Sequence, residues 1–135
     1  GEHYFRPLCV WAVLPALAGM VRNEQTGYLK ISPKRSPDDF SSVFILPACW
    51  GRVRQKRNVN SRRVEIEVME GRLEMRTLEI DNPWGEAARP ALTLVCGETT
   101  CACTANCTED TVRITVESPV TVPAGAVMTA VLTAG

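Results

Sequence analysis

A single histidine, His3, is the only imidazole in the chain. Nucleophilic catalysis by serine or cysteine needs a base, usually histidine, within hydrogen-bond reach. One histidine near the N-terminus, remote in sequence from the cysteine cluster, does not supply it. No glycine-rich loop links a strand to a helix, so nucleotide binding has no motif. Glu65 and Glu67 are paired acids, but they alternate with apolar residues and read as a solvated outer face. We expect no enzyme, no catalytic residue and no cofactor. Charge is not in excess either: 15 Lys and Arg stand against 15 Asp and Glu. That argues against a bulk polycation for nucleic acid and against an acidic tail. The longest uncharged apolar run, Pro7 to Val21, falls short of the ~20 residues that span a bilayer, so no membrane span is expected. What remains is 135 residues, 45% hydrophobic and 22% charged, the composition of one folded domain.

The charge balance is not local. Residues 1–63 carry eleven cations and four acids, a net of +7, and residues 64–135 carry the reverse, −7. Either strands from the two halves interleave in one sheet and the charges mix, or the subunit is bipolar and stacks head to tail.

Cysteine, by contrast, is abundant. The six are Cys9, Cys49, Cys96, Cys101, Cys103 and Cys107. An even number in a short chain allows up to three disulfides and an oxidising, extracytoplasmic setting. The last four are spaced C-x4-C-x-C-x3-C, which matches neither a zinc ribbon nor a plant-type iron–sulfur loop. Disulfides are favoured over metal or free thiols, and no metal is expected. Cys101 and Cys103 fall on one side of an extended chain, so each is expected to bond elsewhere, in this subunit or another. Leu8 to Gly19 is similar to a signal-peptide apolar region, but we read it as part of the working protein.

Val, Ile and Thr account for 32 residues, the enrichment expected of sheets, and no window has a capped helical period. Val43 to Leu46 reads as a strand buried on both faces. A hairpin is expected over Val64–Ile80. Val64, Ile66 and Val68 alternate inward, Glu70-Gly71 turns, and Leu73 and Met75 alternate back. That register sets Glu67 opposite Glu74, an unfavourable pair. A shift of phase to Leu78 and Ile80 predicts a bulge near Thr77. Leu92, Leu94 and Cys96 share one face. Val112, Ile114, Val116, Val120 and Val122 do likewise, with Pro119 marking an edge or a bent corner. About eight short strands predict an all-β sandwich of jelly-roll type, formed by residues 22–135. Residues 1–21 form an N-terminal arm or first strand.

Two segments are candidate contact surfaces. The run Arg52, Arg54, Lys56, Arg57, Arg62 and Arg63 is strongly cationic, but it lacks the interleaved aromatics of a single-strand binder. We read it as a patch facing a neighbouring subunit or plain surface, with no nucleic acid favoured. The arm residues Leu8, Val10, Trp11, Val13 and Leu14 are uncharged and must be covered. They either complete their own sandwich or add a strand to a neighbour, where Cys9 would lock the two covalently.

Cys101-Ala-Cys103-Thr-Ala-Asn-Cys107 is similar to the C-x-C-x3-C run of the cysteine-rich spore coat and exosporium proteins of endospore-forming bacteria. Arg63-Val-Glu-Ile-Glu-Val, followed by Arg72-Leu-Glu-Met-Arg-Thr-Leu, resembles the strand pair preceding that run. The chain also resembles disulfide-linked spore appendage subunits, in which a β-sandwich bears a cysteine-carrying arm. The resemblance implies a self-assembling, disulfide-cross-linked structural protein. The expectation is therefore a non-enzymatic homo-oligomer or polymer, extracellular or on a particle or cell surface, held by strand exchange, disulfides and complementary charge. The alternative is a secreted β-sandwich binding module, disulfide-stabilised, for a protein or acidic glycan.

Overall fold

The computed structural model describes residues 19–33 and 38–134. Among them the chain forms ten strands and no helix. These are β1 (Met20–Asn23), β2 (Tyr28–Ile31), β3 (Asp39–Ile45), β4 (Cys49–Arg57), β5 (Ser61–Asp81), β6 (Ala91–Cys96), β7 (Thr99–Thr100), β8 (Cys103–Cys107), β9 (Thr111–Pro123) and β10 (Val127–Thr133). They make two sheets that share β5. The first runs β3-β4-β5-β10-β6-β7. The second runs β1-β2-β5-β9-β8, with β2 parallel to β5 and every other pair antiparallel. The inner faces close on one apolar core, with Val53, Val64, Ile66, Leu94 and Met128 from the first sheet and Leu29, Ile31, Leu78, Ile80, Val112 and Ile114 from the second. The fold is all-β and sandwich-like, as alternation predicts.

The hairpin expected over Val64–Ile80 does not form. The segment is the middle of one 21-residue strand, β5. Its first half lies between β4 and β10, its second half between β2 and β9. Gly71 does take positive φ, +79°, but it bends the strand instead of reversing it. It packs beside the Ala48 carbonyl, where the β4 register shifts at Trp50/Gly51. A bulge at a corner lets one strand serve two sheets. It also removes the clash a hairpin would create: Glu67 now faces Arg52 and Val127, and Glu74 faces Thr121.

The expected bulge near Thr77 is present. Pairing with β9 jumps from Met75↔Val120 to Thr77↔Thr115. The Arg76 and Thr77 N–H groups instead donate to the Gly27 carbonyl, at 2.8 and 3.2 Å. Opposite this break, Glu117–Pro119 leaves the β5 ladder, so Pro119 sits where no ladder donor is needed. β3 differs from expectation. Only Phe44 is buried and Val43 is exposed, because β3 pairs with β4 alone and forms a sheet edge.

The outer face of the second sheet carries a polar cluster. The Tyr28 hydroxyl donates to Glu79 Oε2 at 2.8 Å, and Arg113 Nη2 lies 3.5 Å from the same oxygen. Burial, then the Glu79 hydrogen bond and charge, pushes the Tyr28 hydroxyl up to about 12. For Glu79, burial acts upward, but hydrogen bonds from Tyr28 and Thr111 and the charges of Arg113 and Lys30 outweigh it and hold the carboxyl below its usual range. An unfolded tyrosine loses its proton near pH 10, so the folded state binds the extra proton between pH 10 and about 12. Stability contributed by Tyr28 is complete below pH 10 and lost as pH rises through about 12. In ultraviolet titration of folded protein, Tyr28→Phe should remove one phenolate transition near pH 12. A Tyr28 transition near 10 would contradict the hydrogen bond.

Candidate cysteine seam

β6 turns into β7 through Gly97-Glu98, with Gly97 at φ +62°. Val95 pairs Thr100, Cys96 pairs Thr99, and the Cys101 N–H donates to the Leu94 carbonyl at 2.8 Å. The chain then leaves the first sheet for the second. Cys103 pairs Val116 and Cys107 pairs Val112, while Ala102 accepts from the Glu117 N–H at 3.0 Å. Four cysteines therefore straddle the crossing. Each is half-buried against the core and each thiol is free. The Cys96 thiol donates to the Thr121 carbonyl at 3.6 Å, and the Cys101 thiol to that of Thr99 at 3.8 Å. Burial first, then the neighbouring Cys101, pushes the Cys96 and Cys103 thiols above the ordinary value.

Two clefts flank the crossing. One, of about 480 Å³, opens between β7 and the Glu117–Pro119 segment and is lined by Cys96 and Cys101. The other, of about 410 Å³, is lined by Leu92 of β6 and by Cys103, Ala105 and Cys107 of β8. Among the described residues, two strand edges are open here. β8 pairs only with β9 among the described strands, and β6 meets β7 through Val95 and Cys96 alone. Unpaired strand edges present rows of donors and acceptors to any added chain. No group of three or more His, Cys, Asp or Glu among the described residues could hold a metal ion.

The other candidates lie elsewhere. Cys49 is buried in the core, and desolvation raises its thiol. Cys9 and the arm residues Leu8, Val10, Trp11, Val13 and Leu14 lie outside the described residues. Arg52, Arg54 and Lys56 project from the outer face of β4; acids of β5 lie beside Arg52 and Arg54, whereas Lys56 faces Arg63. Arg52 faces Glu67, Arg54 lies 3.8 Å from Glu65, and Arg63 lies 2.7 Å from the same carboxylate. Arg57 pairs with Asp38 at 2.7 Å. The basic and acidic halves thus mix across β4 and β5, as interleaved strands require.

Arg62 does not belong to the patch. It is 0% exposed, because it shares the inward parity of Val64, Ile66 and Val68. Its Nη2 donates to Gln55 Oε1 at 2.7 Å, while Nε and Nη1 have no hydrogen-bond partner among the described residues. Burial pulls the guanidinium down to about 10, with Asp81 opposing and Arg57 adding to the shift. The period of two was the signal that places it inside; the surrounding cations obscured it.

Among the described residues, no helix is long and apolar enough to cross a membrane. Fold and seam define a mixed all-β domain with a cysteine-lined crossing. No family model matches the chain, and no curated protein or solved structure is similar to it.

Proposed function

We propose that the protein is a structural subunit that self-assembles at a cell or particle surface through strand addition and disulfides. The observation that carries this reading is a pair of edges, β6 and β8, open among the described residues and flanking a cleft lined by Leu92, Cys103, Ala105 and Cys107 together with the polar Arg89 and Asn106. The occupant is the Leu8–Leu14 segment of a second copy. It is apolar and uncharged and has to be covered, its extended backbone can pair with these strand edges, and it brings Cys9 toward Cys103 or Cys107. The resemblance to spore coat and appendage proteins implies the same class of protein. Complementary charge has a smaller part than the sequence implies, because acids of β5 lie against Arg52, Arg54 and Arg63, Asp38 pairs with Arg57, and Arg62 is buried. Zero net charge still lowers repulsion between copies.

Sizing with and without reductant tests the reading. Large species that shrink on reduction are expected, and removal of residues 1–18, which leaves β1 intact, should abolish them. A monomer in both conditions, unchanged by dilution, would overturn it. The apolar cleft of about 480 Å³ beside Cys96 favours the second reading, a binding module, and that monomer would support it.

A further inference from the structure

Cys101 is the common neighbour of two other thiols at the crossing. Its charge is felt at both Cys96 and Cys103. Its relation to the two is not the same. Cys101 lies opposite Leu94 in the β6–β7 hairpin, and Cys96 is two residues further along β6 on that inward face. Cys96 and Cys101 are therefore diagonal neighbours on one face, and both line the solvent-open cleft of about 480 Å³. Cys103 is two residues along the chain from Cys101, and a Cys-x-Cys ring is too short to close without distortion.

We propose that Cys96 and Cys101 form a thiol–disulfide exchange site for low-molecular-weight disulfides of the glutathione type. The Cys101 thiolate attacks the small disulfide, forming a mixed disulfide and releasing one small thiol. The Cys96 thiolate then attacks the Cys101 sulfur. The mixed bond breaks, a second small thiol leaves, and a Cys96–Cys101 disulfide remains. The protein gives up two electrons and two protons, and the small disulfide is reduced to two thiols.

Two features keep the bond reversible. Diagonal Cα atoms lie ~7–8 Å apart, beyond the ~4.4–6.8 Å usual for a disulfide, so closure requires the backbone to carry Cys101 inward and strains the link. The element that yields is β7, only two residues long. Strained, accessible disulfides are the readily reduced ones. The thiols of Cys103 and Cys107 are not consumed, so the inference stands whether or not the chain self-associates.

The test treats the full-length reduced protein with oxidised glutathione, blocks free thiols by alkylation and locates each modification by fragment mass analysis. In the unaltered chain, Cys96 and Cys101 should become joined to each other with little glutathione retained. Cys96→Ser and Cys96→Ala should both trap glutathione on Cys101, about tenfold above the unaltered chain, because the neighbouring thiol no longer resolves it. Cys103→Ser should behave as the unaltered chain. Glutathione on Cys101 unchanged by both Cys96 substitutions, or Cys101 joined to Cys103, would overturn the proposal.

Discussion

Gly71→Ala should destabilise the fold by ~3–4 kcal/mol, a large share of the ~5–15 kcal/mol that holds a domain of this kind folded. Two separate costs add at this position. A side chain at φ +79° is strained, which costs ~1–2 kcal/mol. The new Cβ would also overlap the Ala48 carbonyl oxygen, and neither backbone can retreat without opening the β4–β5 ladder. Two comparison variants separate the costs. Gly97→Ala has positive φ but open space around it, and should lose only the strain, ~1–2 kcal/mol. Gly51→Ala has no positive φ, but its Cβ would strike the Glu67 carbonyl oxygen. It should lose ~2–3 kcal/mol from displacement of the ladder. Urea unfolding of the three proteins gives the ranking. Equal losses at Gly71 and Gly97 would mean that the corner is not tightly packed and that β5 does not pass through it as described.

Arg62→Met should raise stability, the reverse of the usual outcome for a change at a fully buried site. A guanidinium pulled down from its ordinary value to about 10 carries a folding penalty of ~3 kcal/mol at neutral pH. The sign follows from proton binding. Below pH 10 both states are charged and the penalty is complete. From about 10 up to the ordinary guanidinium range the unfolded chain holds the extra proton, so stability from this group rises with pH. Methionine removes the charge and retains most of the apolar stem. It also takes away the Nη2–Gln55 hydrogen bond, worth ~1 kcal/mol. The net gain is ~1–2 kcal/mol at neutral pH, or a few degrees in Tm. Arg62→Ala should instead lose stability, because it leaves a void. A loss of ~2 kcal/mol or more for Arg62→Met would mean that the guanidinium has a partner in the folded protein.

These two positions also mark where the sequence was readable. Alternation placed the inward set of β9, from Val112 to Val122, and that of β5, from Val64 to Val68, because a period of two is local. It also located the bulge before Leu78. Long-range pairing is not local. Glu70-Gly71 has the same signature whether the chain reverses or bends, and the choice is made by the preceding strand β4 and by β10, β9 and β2, which are remote in sequence. One local clue existed, since the hairpin register opposes Glu67 to Glu74. Arg62 was hidden in a cationic run although its parity was inward. The cysteine spacing identified the cluster, but not that the chain changes sheets between Cys101 and Cys103, which is what opens the clefts. The half-to-half charge difference was real in sequence and is mixed in space, since β5 lies against β4.

The central claim is that one copy's N-terminal segment enters another's cleft and is held there by a disulfide. Its most direct measurement mixes nitrogen-15-labelled and unlabelled reduced chains, oxidises them together and maps disulfide-linked peptides without reduction. Heavy–light hybrids joining the Cys9 peptide to the peptide bearing Cys103 and Cys107 are expected, in the proportion that random mixing gives. Cys9 joined only within chains of one label, or left as a free thiol while the protein remains monomeric, would contradict the account.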